Sequence, residues 1–459
     1  MTYRRRWLLK WATYGGLAGL ATLGSGVRAA ARGQEENAPG FLDPWQSRLA
    51  DLNRRIQQTR QAPLTVKVVN GQGEAIAGQR VKIQHLRHLF NFGATFQGYL
   101  YPEVSPGTDS DRRHREAFLQ LFNASTVTFY WRSYEPEPKQ YQDASLLAII
   151  QWLKSHHFYL RGHPLFWNHN PACLPTWLEN RPVSAKELRS HLDRLLTHLS
   201  TVIFPHLQEV DVFNELVTWN NHRHPFTDLL KTPERLDLIK FYVSQFKALN
   251  PQVKAVINDY VFGPKYFNLL KSLVDHGVPF DGIGQQSHQF WGNWSDRGLT
   301  NIIQRLSRLD KPITFTEVTT LAGPIRWELD FNRTYDDWFN TPDQEQRQAN
   351  YLDFFYRLLY SYPQITGIFL WSFSDRESWL GAPTGILYQD GTPKPAFFKL
   401  DHLINHVWRT QGEKVTNERG EVSFLAYEGE YEIQVETEKV QGIHRANQPL
   451  VQTLQLTAR

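Results

Sequence analysis

Two glutamates stand at the ends of apolar runs that otherwise belong inside a fold. Glu215 closes the run EVDVFNE, and Glu317 closes the run PITFTE. A single glutamate at a strand end is usually a solvated terminus, so neither residue indicates function alone. Two carboxylates over one cleft, however, suit cleavage of a glycosidic bond. One carboxyl must be protonated to release the leaving oxygen, and the other must be ionised to attack or stabilise the oxocarbenium-like centre.

Eight short apolar runs could position such a pair. They recur from about residue 88 to residue 405, with amphipathic stretches such as 185–199 between them. The runs are HLFNFGATF, ASTVTFY, YLRGHPLFW, EVDVFNE, VKAVIND, DGIGQQSH, PITFTE and ITGIFLWS. Eight strand–helix units predict an α/β fold, a (β/α)8 or TIM barrel. The active site of such a barrel lies at the C-terminal strand ends, which puts Glu215 and Glu317 over a cleft.

Other residues at the exits of these runs suit sugar recognition. Asn214, beside Glu215, can hydrogen-bond a sugar hydroxyl, and His163, Gln286 and His288 can fix the orientation of a ring. Tryptophan is abundant, with 15 residues in a chain that is 14% aromatic, and indole rings can form hydrophobic walls for sugar faces. Asp259 and Asp375 are interpreted as scaffold hydrogen-bond acceptors instead.

These motifs together resemble glycoside hydrolase family 10, the xylanase family. EVDVFNEL resembles its acid/base motif and KPITFTEV its nucleophile motif, and RGHPLFW, VINDY, FDGIGQQSH, LWSFSDRESWL and GILYQDGTPKPAF follow the same order. The likeness covers roughly residues 85–405. It implies that Glu215 is the general acid/base and Glu317 the nucleophile. It also implies that the subsites beside the scissile bond are lined by Asn214, His163, Trp167, Gln286, His288, Trp371 and Trp379.

The sequence departs from the family in the pocket on the non-reducing side. Typical members carry Glu-Asn and then Met-Lys-Trp after the second strand, whereas this chain reads STVTFYWRSYEPE. Tyr130 therefore stands at the lysine position, and Thr126 and Val127 replace the Glu-Asn pair. Thr319 replaces the aspartate that usually supports the subsite histidine. The resemblance thus implies a retained hydrolytic pair in a pocket with altered sugar contacts, of which Tyr130 is expected to form a wall.

Both ends of the chain alternate apolar and polar residues as strands do. LTVKVVNGQGEAIAGQRVKIQHL and EVSFLAYEGEYEIQVE each read as two strands around a glycine-containing turn, and LVQTLQLT follows. Two or three strands alone cannot bury a core, so the ends are predicted to join into one small β-sandwich. The predicted divisions are a leader (1–31), a spacer and surface helix (32–60), N-terminal sandwich strands (61–87), the barrel (88–405) and C-terminal sandwich strands (406–459).

The first 31 residues read as an export signal. They have a basic start, a modest apolar stretch and a small-residue site at 29–31, and Arg5-Arg6 resembles the twin-arginine type. An uncleaved membrane anchor is the alternative. We expect an exported protein, periplasmic or extracellular, that is a monomer without stable membrane insertion once the signal is removed.

Charge and metal-ligand content exclude several classes of partner. The formal charge is +4, but the leader holds five basic residues and no acid, so the remainder is nearly neutral and no nucleic-acid partner is expected. Cys173 is the single cysteine, which rules out an intramolecular disulfide and a thiolate cluster. The histidines at 156–157 and 222–224 have metal-like spacing without carboxylate partners and are interpreted as exposed. We expect no metal and no organic cofactor.

Three functional hypotheses follow. The first is an exported, retaining endo-glycosidase acting on a β-1,4-linked, xylan-like polysaccharide or oligosaccharide. The second keeps the chemistry but changes the substrate to another glucan, a mannan or a decorated exopolysaccharide. The third is a weakly catalytic carbohydrate-binding protein of the envelope, which retention of both glutamates argues against.

Overall fold

The computed structural model describes residues 45–103, 107–169, 172–179, 181–222 and 224–456. The predicted leader and the first part of the predicted spacer, residues 32–44, lie outside these ranges. The described chain divides into two compact units. One, the barrel unit, contains residues 92–349 and 364–397, and the other, the β-unit, contains 45–91, 350–363 and 398–456, apart from the gaps given above.

Fifteen strands are present in the described residues. In chain order they are β1 Gln61–Val69, β2 Arg80–His88, β3 Asn91–Thr95, β4 Ala124–Thr128, β5 Tyr159–His163, β6 Glu209–Asn214, β7 Lys254–Asp259, β8 Gly282–Gln289, β9 Ile313–Thr320, β10 Ile365–Leu370, β11 Gln411–Val415, β12 Glu421–Tyr427, β13 Gly429–Val435, β14 Glu438–His444 and β15 Val451–Gln455.

The α-helices are α1 Leu49–Arg60, α2 Asp109–Leu121, α3 Trp131–Tyr134, α4 Asp143–Ser155, α5 Thr176–Glu179, α6 Ala185–Val202, α7 Pro225–Leu230, α8 Arg235–Leu249, α9 Pro264–Asp275, α10 Asp296–Ser307, α11 Pro342–Tyr360 and α12 Pro395–Asp401. Short 3-10 turns include Leu216–Asn221 and Trp379–Gly381, and a π-helix spans His402–Val407. None of the helices in the described part of the chain is long and apolar enough to cross a bilayer.

The barrel unit contains a closed barrel of eight strands in the order β10-β3-β4-β5-β6-β7-β8-β9. Each of the eight apolar runs overlaps one of these strands, so the predicted (β/α)8 barrel is confirmed. Every residue of β6 and of β9 is buried, because strands in a parallel barrel are covered on both faces.

The helices between the strands form for local reasons. The Ser184 side chain accepts the backbone N–H of Glu187 and so caps α6, and Ser295 caps α10 in the same way. Leu188, Leu192 and Leu199 of α6 are buried and lie on one helical face.

The β-unit contains two sheets drawn from both ends of the chain. One has the order β12-β1-β15 and the other β11-β2-β13-β14. Their shared apolar core includes Leu64, Ile83, Phe424 and Ile433, each from a different strand. The predicted small sandwich of N- and C-terminal strands is therefore confirmed.

Candidate active site

All ten residues predicted for the site border one cavity of about 300 Å³, which we call the central cavity. The polar residues lie in the C-terminal halves of β5, β6, β8 and β9 or directly after β6. They are His163, Asn214, Glu215, Gln286, His288 and Glu317. The aromatic side chains come from the adjoining segments. They are Tyr130, Trp167, Trp371 and Trp379. The barrel brings together residues from six different strands and the loops that follow them.

Glu215 is held in an unusual backbone conformation. Its φ of 61° and ψ of 41° lie in the left-handed region, which costs a residue with a side chain roughly 1–3 kcal/mol. Its backbone N–H donates to the carbonyl of Asn258 at 2.8 Å. Its carboxylate accepts the indole N–H of Trp167 at 3.1 Å and the amide of Gln286 at 3.3 Å. The surrounding fold therefore fixes where this carboxyl group lies.

Glu317 accepts different donors. Its Oε1 accepts the Asn258 amide at 2.8 Å, and its Oε2 lies 3.1 Å from Nε2 of His288. The Nδ1 atom of His163 lies 3.9 Å from Oε1. Glu317 thus has hydrogen-bond donors that favour the ionised form of a carboxyl group.

The pKa values of the two glutamates are shifted in opposite directions. Burial raises the pKa of Glu215 well above its ordinary value, the charges of Asp259 and Glu317 raise it further, and Gln286 and Trp167 only partly offset this. Burial also acts to raise the pKa of Glu317, but His163, His288 and Asn258 outweigh it and the pKa is lowered. One carboxyl is therefore suited to hold a proton while its neighbour is ionised.

Asn258 hydrogen-bonds to residues of both β6, which Glu215 directly follows, and β9, which contains Glu317. The sequence pattern assigned it no role. It is fully buried at the end of β7. Its Nδ2 donates to Asn214 at 2.9 Å as well as to Glu317, and its Oδ1 accepts the Thr316 hydroxyl at 2.7 Å. Its place at the exit of the fifth apolar run, between the runs that end in the two glutamates, was the available signal.

A buried ion cluster supports His163. The Nδ1 atom of His163 lies 2.7 Å from Oδ2 of Asp211, and Asp211 also pairs with Arg161. Arg161 is fully buried and donates to Glu209 at 3.0 Å. Asp211 is a second residue that sequence reasoning missed, because it lies inside an apolar run and nothing local indicates its partner.

Aromatic rings form the sides of the central cavity. The Tyr130 ring packs edge-on against His163 with centroids 5.7 Å apart and tilts against Trp167 at 5.9 Å. On the other side, the His288 ring lies 4.8 Å from Trp379 and 5.9 Å from Trp371. Tyr130 borders the central cavity, and its role as a wall for sugar stays a prediction.

The departures from the family pattern have distinct surroundings. Thr126 and Val127 are buried in β4. Neither is among the described residues that border the central cavity. Thr319 lies with its hydroxyl 2.9 Å from Nδ1 of His288, so this histidine keeps a hydrogen-bond partner but an uncharged one.

The two aspartates interpreted as scaffold acceptors make structural contacts. Asp259 accepts the backbone N–H groups of Val217 and Val261 at 2.9 Å each. Burial raises its pKa to about 7 despite these hydrogen bonds. Asp375 forms an ion pair with Lys394 at 2.7 Å.

The interpretation of the histidines at 222–224 as exposed is wrong for His224. It is buried, and its Nδ1 accepts the backbone N–H of Phe226 at 3.0 Å, which caps α7. Sequence spacing does not reveal such a cap because it depends on where the helix begins. In the described ranges, no group of three or more His, Cys, Asp or Glu residues is arranged to hold a metal ion.

Comparison with known proteins identifies the family of this arrangement. The model of "Glycosyl hydrolase family 10" matches residues 102–402. The chain belongs to glycoside hydrolase family 10. The matched range contains β4 to β10 and all ten residues that border the central cavity.

Individual relatives are distant in sequence. Endo-1,4-beta-xylanase A of Caldicellulosiruptor saccharolyticus is 27% identical over 288 residues, covering 59% of this chain and 81% of that protein. Anti-sigma-I factor RsgI6 of Acetivibrio thermocellus is 25% identical over 397 residues, covering 83% of this chain and 46% of that protein. The chain thus matches less than half the length of the second relative.

Solved structures share the fold. A family 10 structure from Paenibacillus barcinonensis superposes with a TM-score of 0.58 at 18% identity, covering 70% of this chain and 97% of that one. The native xylanase 10B of Thermotoga maritima gives 0.57 at 20% identity, covering 69% and 95%.

Proposed function

We propose that this family 10 member is an exported, retaining endo-glycosidase that hydrolyses a β-1,4-linked, xylan-like polysaccharide. The observation that carries the proposal is the opposite displacement of two carboxyl pKa values in one cavity, raised for Glu215 and lowered for Glu317. Hydrolysis with retention needs one protonated and one ionised carboxyl on either side of the anomeric carbon.

In the first step of the proposed mechanism, the Glu317 carboxylate attacks the anomeric carbon. Protonated Glu215 gives its proton to the glycosidic oxygen as that bond breaks, which leaves a glycosyl ester on Glu317. In the second step, Glu215, now ionised, takes a proton from water. The resulting hydroxide attacks the same carbon and releases Glu317, so two inversions give net retention.

A double displacement also requires the carboxyl groups to be about 5–5.5 Å apart. Two contacts support a short separation. Gln286 is the strand-register neighbour of Glu317 across β8 and β9, and its amide donates to Glu215 at 3.3 Å. The Gln286 residue therefore connects Glu215, through its side chain, with Glu317, through the strand pairing.

Substitution of each glutamate by alanine tests the mechanism. With an aryl β-xyloside whose leaving group is activated, E317A is expected to lose activity because no nucleophile remains. E215A is expected to slow at the second step, and azide should restore turnover by attacking the glycosyl ester without base assistance. The products of azide rescue should be β-glycosyl azides. An unchanged rate in either variant would end the assignment.

Tyr130 favours a second candidate, in which the same chemistry acts on another glucan, a mannan or a decorated exopolysaccharide. A neutral phenol stands where family members place a lysine, and its ring packs between His163 and Trp167. Release of reducing ends from a panel of purified polysaccharides separates the candidates. Efficient turnover of unsubstituted xylan supports the first, whereas binding without turnover of any member would favour a carbohydrate-binding protein.

Export and a monomeric state are part of the proposal. Export rests on the leader-like composition of residues 1–31. Fractionation of cells that produce the full chain, with replacement of Arg5-Arg6 by Lys-Lys, tests the route. The substitution is expected to retain the protein in the cytoplasm.

A further inference from the structure

A second, larger cavity lies in the barrel unit. Its volume is about 500 Å³, within the range of small-molecule binding sites, which is roughly 300–1,000 Å³. Its lining comes from the loop between β9 and α11, from the start of α11 and from the segment after β10. Because those loops follow the C-terminal ends of barrel strands, this second cavity opens at the same barrel end as the central cavity.

Aromatic side chains separate the two cavities. Trp379 borders the central cavity, whereas Gly381, two residues later, borders the second. Trp338 lines the second cavity, and the Phe290 ring lies between the two indoles, 6.2 Å from Trp338 and 5.2 Å from Trp379. We call the segment Trp379–Gly381 with Trp338 and Phe290 the dividing wall.

The dividing wall is held in a demanding backbone geometry. Leu380 and Gly381 have φ values of 63° and 65°, in the left-handed region. A Cβ atom at position 381 would lie 2.6 Å from the carbonyl oxygen of Tyr335, so only glycine fits there. The Tyr335 N–H donates to the Leu380 carbonyl at 2.8 Å. Such strained segments persist where the surrounding structure over-determines them, as at ligand sites.

The lining of the second cavity combines apolar rings with hydrogen-bond acceptors. Phe339 is 67% exposed and lines the cavity together with Trp338 and Pro383. Glu345 and the exposed Asp390 supply carboxylate oxygens, and Gln389 supplies an amide. Lys394, beneath the cavity, is fully buried and paired with Asp375 at 2.7 Å.

This composition discriminates between ligand classes. Three carboxylates line the cavity. The adjacent cations Lys394 and Arg113 already pair with two of them, Asp375 and Asp390, so the remaining negative charge, on Glu345, disfavours an anionic ligand. No metal-binding group of three occurs in the part of the chain that the structure describes. Sugar hydroxyls donate to carboxylate oxygens, and the apolar faces of pyranose rings pack on aromatic rings. The lining therefore complements a neutral, polyhydroxylated ligand.

We propose that the second cavity is a non-catalytic binding site for a neutral segment of the polysaccharide that the central cavity cleaves, with Phe339 as its main stacking surface. The identity of the ligand rests on the proposed function, while the existence of the site rests on the cavity itself. Occupancy holds polymer next to the catalytic pair and raises its local concentration.

The test compares F339A with F241A, a control that removes another exposed phenylalanine, on α8 and away from both cavities. Loss of one stacking ring is expected to weaken binding about three- to tenfold. F339A should raise KM for the polymer by about threefold or more. It should leave kcat/KM for a small aryl glycoside within about twofold, because the central cavity is intact. F241A should match the wild type on both substrates.

A binding measurement separates this inference from the proposed function. The E317A protein, alone and combined with F339A or F241A, is run in gels containing each soluble polysaccharide of the panel. Retardation that F339A weakens and F241A does not supports the second cavity, even if the wild type hydrolyses nothing. Equal retardation of all three proteins, or retardation of none by any polysaccharide, overturns it whatever the activity.

Discussion

The side-chain amide of Asn258 donates to the Glu317 carboxylate at 2.8 Å. The backbone carbonyl of Asn258 accepts the backbone N–H of Glu215 at the same distance. One buried residue on β7 therefore orients both glutamates. This contact also favours the ionised form of Glu317, because the amide donates to the charged carboxylate.

Moving the Asn258 side chain away from Glu317 should make Glu317 a less effective nucleophile, because the carboxylate loses a hydrogen-bond donor. Gly284 on β8 lies so close that a Cβ atom there would overlap the Asn258 amide. G284A is expected to lower kcat about ten- to a hundredfold, in the range found when a supporting residue is lost. It should also raise the pKa of Glu317 and move the acid limb of the pH–kcat/KM profile to higher pH. G282A is the matched control, since its Cβ would make ordinary contacts of 3.5 and 3.7 Å. Identical profiles for G284A and the wild type would contradict this role.

The alkaline limb of the same profile should belong to Glu215. Its raised pKa keeps the proton that the leaving group needs, so activity should fall only as pH rises through that raised value. E215Q cannot transfer a proton, and we expect a loss of about 10²–10⁴-fold on substrates with poor leaving groups. With an activated leaving group, the alkaline limb of kcat/KM should disappear. A limb that persists in E215Q would assign it to another group.

Glu215 should reduce stability at neutral pH as well as support catalysis. Its folded-state pKa lies above the unfolded value of about 4.3, so its contribution to stability is complete below that value and is lost as pH rises through the folded pKa. E215Q keeps a neutral side chain at every pH. Its Tm should equal that of the wild type near pH 4 and exceed it by about 2–4 °C at pH 8. E116Q, at an exposed position, should show no such divergence.

Tyr130 provides a direct test of the departure from the family pattern. Y130F keeps the ring that packs on His163 and Trp167, so the fold should be unchanged. Loss of one hydroxyl contact to sugar should raise KM about two- to tenfold. Y130K restores the cation of other members, which should lower the pKa of Glu215 and move the alkaline limb to lower pH. Calorimetric unfolding checks that both variants fold, and a Y130K profile that coincides with that of the wild type would contradict the electrostatic part.

Local pattern was sufficient for the strands and for the residues at their ends. The eight apolar runs each overlap a barrel strand, and the residues predicted at their exits border one cavity together with Trp379, which the family resemblance implied. This succeeds because a closed parallel barrel gathers every C-terminal strand end at one mouth. The terminal sandwich was predictable for a similar reason, since its alternating strands could not bury a core separately.

The sequence by itself determined the barrel, the sandwich and the identity of the candidate catalytic pair, because strand periodicity and the residue that follows each strand are local properties. The family resemblance implied that Glu215 is the acid, but only the tertiary structure supplies the physical reason, since the two pKa values depend on burial and on donors from other strands, such as Asn258 and His288. It also decided the burial of His224, the left-handed geometry of Glu215 and Leu380, and the second cavity. Each of these arises from contacts between segments far apart in the chain, which no local pattern encodes.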